Sequence, residues 1–255
     1  MEGINRKPWQ GITNIIRFNW HFYAGALGLL AALVITKPFL PGELAVIVTL
    51  FIVLAFSGMV ISLAVSWYVY DHSPLYSLKW LDDLPIEPGI RLVNIHAGFD
   101  ETSALLQEKY PLAHWQVLDF YDPVKHTEVS IKRARKAYPA FPGTQTIRTQ
   151  AVPLGTDSVD GIFLLLSAHE IRDAAERTQF FTQLQHALRA GGKIVVVEHL
   201  RDAYNFLAYT VGFLHFYPRK AWRQTFAAAG LTEMKETKIT PFISVFILQK
   251  HGLAS

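Results

Sequence analysis

Two long stretches of the chain contain no Asp, Glu, Lys or Arg. They run from Phe18 to Thr36 and from Leu44 to Tyr70, and each is long enough as a helix to cross a hydrocarbon core of roughly 30 Å. The segment KPFLPGE between them has the Pro and Gly content of a tight turn. The pattern predicts a two-helix membrane hairpin, with spans at about 18–36 and 44–70, in preference to a buried pair of soluble helices.

After Asp71 the pattern changes to short apolar segments that alternate with amphipathic ones. The segments typical of strands are RLVNI, WQVLDF, QTIRT, VDGIFLLL, KIVVVEH, LTEMKETKI and FISVFILQK. Helices are predicted for Glu101 to Lys109, Val124 to Ala137, Ala174 to Arg189, ended by two glycines, and Lys220 to Ala229. Such alternation predicts an α/β fold with a doubly wound parallel sheet. Because no helix separates the last two strands, they should form a hairpin.

The composition supports this division. Of the 255 residues, 51% are hydrophobic and 18% are charged, and the excess of apolar residues lies in the first part of the chain. We therefore expect residues 1–83 to form the hairpin and a connector, and residues 84–255 to form the α/β domain. The net charge is only +3 and no long basic run occurs, so nucleic acid is not an expected partner. The absence of cysteine excludes disulfides and thiolate metal sites.

The charges that flank the hairpin predict its orientation. Arg6, Lys7 and Arg17 flank the first span, whereas the turn carries Lys37 and Glu43. The positive-inside rule then places both chain ends and the α/β domain on the cytoplasmic side of an inner, cytoplasmic membrane. The basic helix IKRARKAYP is a candidate contact for anionic headgroups, although a solvated face is the default interpretation of such a run.

Three stretches carry a family resemblance. LDFYDP places Asp119 at the end of the second strand, PLGTDSVDGIFLLLSAHEI leads into the fourth strand, and LQHALRAGGKIVVVEH turns into the fifth. In this order and spacing, from about Ile90 to Lys250, they resemble the class I S-adenosylmethionine-dependent methyltransferases. Within that family they are most similar to the ubiquinone/menaquinone methyltransferase-like group. The resemblance implies a Rossmann-like sheet in the order 3-2-1-4-5-7-6 with the last strand antiparallel, and S-adenosylmethionine as cofactor.

The loop after the first strand departs from the family pattern, which reads roughly acidic-x-Gly-x-Gly-x-Gly. Those four positions are Asn94, His96, Gly98 and Asp100, so an amide replaces the acid and two larger residues replace glycines. Gly98 keeps the backbone freedom that such a loop needs. The residues that the resemblance implies for cofactor binding are Asn94, His96, Gly98, Asp100, Asp119, Phe120, Val152 and Ser167.

Two similar motifs follow the fourth and fifth strands, HEIRD from His169 and EHLRD from Glu198. Both should lie at the carboxyl edge of the sheet, where open α/β folds bind ligands. A histidine there is a candidate general base because its pKa lies near neutrality. The candidate catalytic residues are His169, Glu170, Glu198 and His199. In the structural alternative, the Arg and Asp residues of the two motifs form salt bridges that stabilise helix N-termini and hold the loops in place.

The aromatic segment after EHLRD is predicted to cap the crevice or to lie at the membrane interface; packing on the sheet or the hairpin is the alternative. The candidate substrate residues are Arg172, Arg201, Tyr209 and His215.

The leading hypothesis is a membrane-anchored methyltransferase without a metal, acting on a lipid-soluble or membrane-associated small molecule. One alternative is a non-catalytic, membrane-tethered binding or scaffold module with a decayed cofactor site. Another is a metal-dependent enzyme that uses His96, His169 and His199. The bilayer is the expected partner, and the small residues Ala24, Gly25, Gly28 and Ala32 make a homo-oligomer through the helices possible.

Overall fold

The computed structural model describes residues 6–84, 87–126 and 128–252. Two long helices, α1 (Gln10–Thr36) and α2 (Gly42–Trp67), form where the hairpin is predicted, with a short 3-10 turn at Lys37–Phe39 between them. Each is long and apolar enough to cross a membrane, with a mean hydropathy of 1.6 and 2.8 over its most apolar window. Those windows are almost entirely unburied, which is not the packing of a soluble core helix.

Helix α1 has two different parts. Asn19 leaves helical geometry, at φ −112° and ψ 16°, and kinks the helix. Before the kink, Phe18 is buried against the α/β domain. The carboxylate of Asp71, which follows α2, accepts the amides of Gly11 and Ile12 at 2.7 and 2.8 Å and so satisfies donors that a helix start leaves free. The turns of α1 before the kink therefore pack on the α/β domain, while the bounds of the predicted first span stay a prediction.

The chain from residue 91 onward builds one seven-stranded sheet. Its strands are β1 (Arg91–His96), β2 (His114–Asp119), β3 (Gln145–Thr146), β4 (Val159–Leu165), β5 (Leu188–His199), β6 (Leu231–Thr240) and β7 (Ile243–Lys250). They lie in the order β3-β2-β1-β4-β5-β7-β6. Strands β1 to β5 are parallel, and β7 is antiparallel to both β5 and β6. The predicted strand order and the terminal hairpin are confirmed.

Both faces of the sheet are covered. The helices are α3 (Ser103–Lys109), α4 (Val129–Ala137), α5 (Ala174–Ala187), α6 (Ala203–Tyr209) and α7 (Arg219–Ala228). On one face, Phe180 of α5 and Trp222 of α7 are fully buried. On the other, Leu75, Leu78 and Leu81 of the connector are buried with strand residues. The connector is thus part of the core, and the boundary between residues 83 and 84 stays a prediction.

Three elements differ from prediction for local reasons. Helix α4 begins at Val129, not residue 124, because Asp122 accepts the Val124 amide in a turn. Strand β3 is short because the chain reverses at once through a bridge between Arg148 and Ala151. Helix α5 ends at Ala187, before the two glycines. These lie inside β5, where Gly191 has a φ of +80° and the register with β4 shifts.

Candidate functional site

A cavity of about 400 Å³ lies at the carboxyl ends of β1, β4 and β5. This is the edge, at the switch point between β1 and β4, where open α/β sheets bind ligands. The kinked start of α1 forms one wall, the connector another, and the residues after β4 and β5 the remainder. Its polar lining includes Asn14, Tyr70, Tyr76, His96, Glu101, Glu128, His169, Glu170, His199 and His215.

The loop after β1 is held by its own side chains. Gly98 has a φ of +97°, which glycine adopts at least cost, and its amide donates to Nδ1 of His96 at 3.2 Å. Oδ1 of Asp100 accepts the amides of Thr102 and Ser103, both at 2.9 Å, at the start of α3. The substituted positions therefore order the loop in place of the expected glycines.

Three buried polar atoms at the end of β1 and in this loop have no hydrogen-bond partner among the described residues: Oδ1 of Asn94, Nε2 of His96 and Oδ2 of Asp100. Burial lowers the pKa of His96 against the opposing effect of Asp100 and Asp119, so the ring is neutral. Since Nδ1 accepts a hydrogen bond, Nε2 carries the proton; it lies 3.9 Å from Oδ2 of Asp100. Unsatisfied buried donors and acceptors are costly, and a ligand with both kinds of group would satisfy them.

Asp119 ends β2 next to this loop and is 2% exposed. Its Oδ1 accepts the Tyr121 amide at 2.9 Å, and its Oδ2 accepts from Nη1 of Arg135 at 2.5 Å. Arg135 also donates to the Gly98 carbonyl at 3.1 Å and lies 4.4 Å from the centroid of the Tyr121 ring. The carboxylate that the resemblance assigns to ribose hydroxyls is therefore paired with an arginine, and the adjoining cavity is only about 60 Å³.

The basic helix α4 is not simply a solvated or lipid-facing surface. Arg135 pairs with Asp119, and Nη1 of Arg133 donates to the Phe18 carbonyl of α1 at 2.6 Å. Of the four basic residues, Lys132 and Lys136 remain fully available to solvent or headgroups. Sequence reasoning missed Arg135 because a charge run gives no sign of which member turns inward.

Three predicted cofactor residues have structural surroundings. Phe120 is 1% exposed and its ring lies 5.6 Å from that of Phe180, so it faces α5 and not the cavity, which corrects the expectation of a cofactor contact. Ser167 donates to the Ile95 carbonyl at 2.9 Å and joins the ends of β1 and β4. Val152 packs on the core.

His169 lies between two carboxylates. Its Nδ1 is 2.6 Å from Oε2 of Glu198 and its Nε2 is 3.3 Å from Oε1 of Glu170. Burial opposes the charged ring, but Glu198 and Glu170 outweigh it and raise the pKa of His169 to about 10. Burial likewise opposes ionisation of Glu170, but His169 and His215 hold its pKa well below the usual value. The ring is a cation at neutral pH and not the general base that was expected.

His199 is also unsuited to that role. Asn205 donates through Nδ2 to Asp202 and Phe242, so its Oδ1 accepts the Nδ1 proton of His199 at 3.0 Å. Nε2 then accepts from the hydroxyl of Tyr70 at 2.8 Å. Burial is the main cause that lowers the pKa of His199 to about 4. With both nitrogens engaged, His199 connects the end of the hairpin to β5.

The Arg and Asp residues of the two motifs match the structural alternative. Asp173 and Asp202 cap α5 and α6 by accepting main-chain amides. Arg172 donates to the His215 carbonyl at 2.6 Å, and Arg201 donates to that of Phe216 at 2.8 Å. The two arginines therefore hold the segment that follows α6, which explains them without a substrate.

Of the other two predicted substrate residues, His215 lines the cavity and Tyr209 does not. Tyr209 packs edge-on against His199, with ring centroids 5.5 Å apart. The proposed metal trio is also not formed: in the described part of the chain, the ligating atoms that converge belong to His169, Glu170 and His215.

Several cavity residues were absent from the sequence-based candidates. Asn14 of α1 is 6% exposed; its Oδ1 accepts from Tyr138 at 2.9 Å, while its Nδ2 has no partner among the described residues. Glu101 accepts from Arg6 at 2.6 Å and from Tyr76 at 2.9 Å. A polar side chain just ahead of an apolar span was the available signal for Asn14.

No family model matches the chain, and no curated protein matches its sequence. Solved structures do match. A chain of the complex between a Haloferax volcanii methyltransferase activator and a protein described as a methyltransferase has a TM-score of 0.53 and 12% identity, covering 72% of this chain and 92% of that one. An S-adenosylmethionine-dependent methyltransferase from Aquifex aeolicus has a TM-score of 0.48, 12% identity and coverages of 67% and 87%.

Geranyl diphosphate C-methyltransferase from Streptomyces coelicolor, crystallised with Mg²⁺, geranyl diphosphate and S-adenosylhomocysteine, has a TM-score of 0.48, 9% identity and coverages of 68% and 78%. The Haloferax volcanii comparison shows that the chain shares the Rossmann-like methyltransferase fold.

Proposed function

We propose that this protein is a membrane-anchored, S-adenosylmethionine-dependent methyltransferase with a lipid-soluble or membrane-associated acceptor. The observation that carries the proposal is the set of unpartnered buried polar atoms on Asn94, His96 and Asp100, of which His96 lines the cavity at the switch point of a methyltransferase fold. Fold alone does not assign an activity, so the argument depends on these residues.

The residues present fit the cofactor in part. Asn94, His96 and Asp100 offer a donor and two acceptors for an amino acid group, and Gly98 keeps its backbone conformation. Asp119 is available to ribose hydroxyls once Arg135, whose side chain is 35% exposed, turns toward solvent. Val152 and Ser167 complete the candidate set. The cofactor would supply an electrophilic methyl group on a sulfonium.

Two charged side chains that line the cavity would contact the acceptor. The cationic ring of His169 and the carboxylate of Glu170 face the space where an acceptor would lie. A fixed N–H donor would favour ionisation of an acceptor hydroxyl, whose proton leaves to solvent before the oxygen attacks the methyl group. Glu198 positions the His169 ring through Nδ1, and His199 holds Tyr70, another residue of the cavity lining. Quinone-like or prenylated rings, lipid headgroup amines and apolar metabolites are the proposed acceptors.

The exposed apolar surface supports membrane anchoring. Large apolar side chains on α2 such as Leu54, 72% exposed, have no protein cover, and neither do Leu207 and Val211 near α6, which packs against α2. We propose that both helices span a cytoplasmic membrane with the α/β domain on the cytoplasmic side. Open space at Gly25 and Gly28 would admit a second copy of the chain.

The second candidate is a non-catalytic binding module. The ion pair between Arg135 and Asp119 favours it, because it occupies the carboxylate that a cofactor would need. In that case the cavity would bind a membrane-derived ligand without group transfer.

Calorimetric titration of S-adenosylmethionine and S-adenosylhomocysteine into the full chain in detergent separates the two. We expect saturable binding that Asp119→Ala weakens at least tenfold and that Asp83→Ala, which removes an exposed carboxylate, leaves unchanged. Circular dichroism of each variant confirms folding. Absence of binding at millimolar ligand by folded wild-type protein and by Arg135→Ala would exclude the methyltransferase.

A further inference from the structure

Each of two histidines that line the cavity has a carboxylate near its Nδ1. Nδ1 of His169 lies 2.6 Å from Oε2 of Glu198, and Nδ1 of His215 lies 3.2 Å from Oε1 of Glu128. Glu198 is fully buried and also accepts the main-chain amide of His169 at 3.1 Å, which fixes its position. At His169 the carboxylate keeps a proton on Nδ1 and directs Nε2 outward, as in carboxylate–histidine pairs that support metal ligands. At His215, Nη2 of Arg172 lies closer to Nδ1 than Glu128 does, at 2.5 Å.

The two Nε2 atoms converge on one oxygen. Oε1 of Glu170 lies 3.3 Å from Nε2 of His169 and 3.6 Å from Nε2 of His215. The three groups offer ligand atoms that all lie within 4.8 Å of one another. His169 and Glu170 come from the turn after β4, while His215 ends the 3-10 segment that follows α6. All three residues line the 400 Å³ cavity.

We propose that His169, Glu170 and His215 bind a divalent transition-metal ion. Two imidazoles and one carboxylate suit Zn²⁺, Fe²⁺ or Co²⁺ better than Mg²⁺ or Ca²⁺, which prefer oxygen ligands. Three protein ligands beside a cavity leave a coordination position for water or a ligand, which is the arrangement of reactive sites and not of closed structural ones. The ion would replace the proton on Nε2 of His169 and take over its electrophilic role.

Arg172 competes with the ion. Its Nη2 lies 2.5 and 2.6 Å from the two ring nitrogens of His215, while its Nη1 holds the His215 carbonyl at 2.6 Å. The side chain is 43% exposed, so Nη2 can turn toward solvent while Nη1 keeps its bond. If Arg172 is instead the permanent cation of this cluster, metal will not bind.

The test uses the full chain in detergent, without a polyhistidine tag and stripped with a chelator. Zn²⁺ binding is measured by calorimetry and Co²⁺ binding by its ligand-field absorption, both without S-adenosylmethionine, so the outcome is independent of the proposed methyltransferase. The variants are His215→Ala, Glu170→Gln, Glu198→Gln and Arg172→Ala. The matched control is His186→Ala, an exposed histidine of α5 away from the cluster.

We expect one saturable site per chain. His215→Ala and Glu170→Gln should weaken it at least tenfold, Glu198→Gln roughly 10–100-fold as for other supporting carboxylates, and Arg172→Ala should strengthen it. His186→Ala should match wild type. Two outcomes would overturn the proposal: no saturable binding up to millimolar metal in wild type and Arg172→Ala, or equal affinity in His215→Ala and His186→Ala. Because His215 is only partly buried, His215→Ala should fold. Its metal affinity therefore tests the proposal even if the other variants do not fold.

Discussion

Two histidines at neighbouring strand ends differ in charge because of what their rings contact. His169 faces two carboxylates and is cationic, whereas His199 is enclosed by Tyr70 and Asn205 and is neutral. Sequence reasoning placed both at the correct edge but assigned them the same role. Residue type and spacing predict where a side chain lies, but its protonation depends on neighbours from distant parts of the chain.

The neutral His199 predicts a pH-dependent stability. The unfolded ring gains a proton below about pH 6.5, but the folded ring does so only below about 4. Between these values the unfolded state binds more protons, so the free energy of unfolding falls as the pH falls, by up to about 3 kcal/mol. Chemical denaturation in detergent at pH 7 and pH 5 should show about 2 kcal/mol of this change, because pH 5 lies above the folded pKa. His199→Gln should reduce this pH dependence of the free energy of unfolding. If the variant shows the same pH dependence as wild type, other titrating groups cause it.

The ion pair at Asp119 predicts opposite effects of one substitution. Arg135→Ala removes the group that competes for the carboxylate, so S-adenosylmethionine should bind several-fold more tightly. It also leaves a buried charge unpaired, which should lower the stability of the ligand-free protein by about 1–3 kcal/mol. Calorimetry and thermal unfolding measure the two effects. Lys136→Ala, the same charge change at an exposed position of α4, is the control, and weaker binding by Arg135→Ala would contradict the prediction.

At the scale of elements, the sheet was predictable from the sequence, but the packing of the start of α1 over its edge was not. Strands buried on both faces are continuous apolar runs, and the glycines near β5 and the final strand pair mark the topology. The kink at Asn19 has no comparable signal in the sequence. The turns before it are held by residues distant in the chain, since Arg133 contacts the Phe18 carbonyl and Tyr138 contacts Asn14. A charge-free run predicts a span but not how much of the preceding helix packs elsewhere.

This docking of α1 is testable. Arg133→Ala removes the donor to the Phe18 carbonyl and to His21, so the first turns of α1 should separate from α4 more often. We expect faster amide exchange for residues 11–19, corresponding to about 1–3 kcal/mol of lost local protection, with little change in β4. Hydrogen exchange with mass spectrometry measures it, with Lys132→Ala as control. Equal exchange in both variants would show that the contact does not hold the helix.

At the scale of the whole molecule, the apolar surface is divided between two environments. The α/β domain buries most of its large apolar residues, whereas α2 exposes most of its own. Such a continuous uncovered surface is typical of a membrane or partner contact. The sequence predicted the division from charge alone, but the additional exposed residues near α6 became apparent only from their position beside α2.

A pair of matched substitutions tests the membrane assignment. Leu54 of α2 and Leu112 of the α/β domain are 72% and 68% exposed. If α2 spans the bilayer, Leu54→Arg should cost about 3 kcal/mol of insertion free energy and release protein from membranes washed with alkaline carbonate. Leu112→Arg should have no effect. Equal retention of both variants in the membrane would indicate that α2 does not lie in the hydrocarbon.

The division of α1 at Asn19 also limits how this chain can be recombined with others. Replacing residues 20–67 with an unrelated apolar hairpin keeps Asn14 and Phe18 and their hydrogen bonds to Tyr138 and Arg133, so such a chimaera should retain this wall of the pocket. A replacement that starts at residue 10 removes a wall of the cavity. The helical hairpin and the α/β domain are therefore expected to be exchangeable only at a junction beyond the kink.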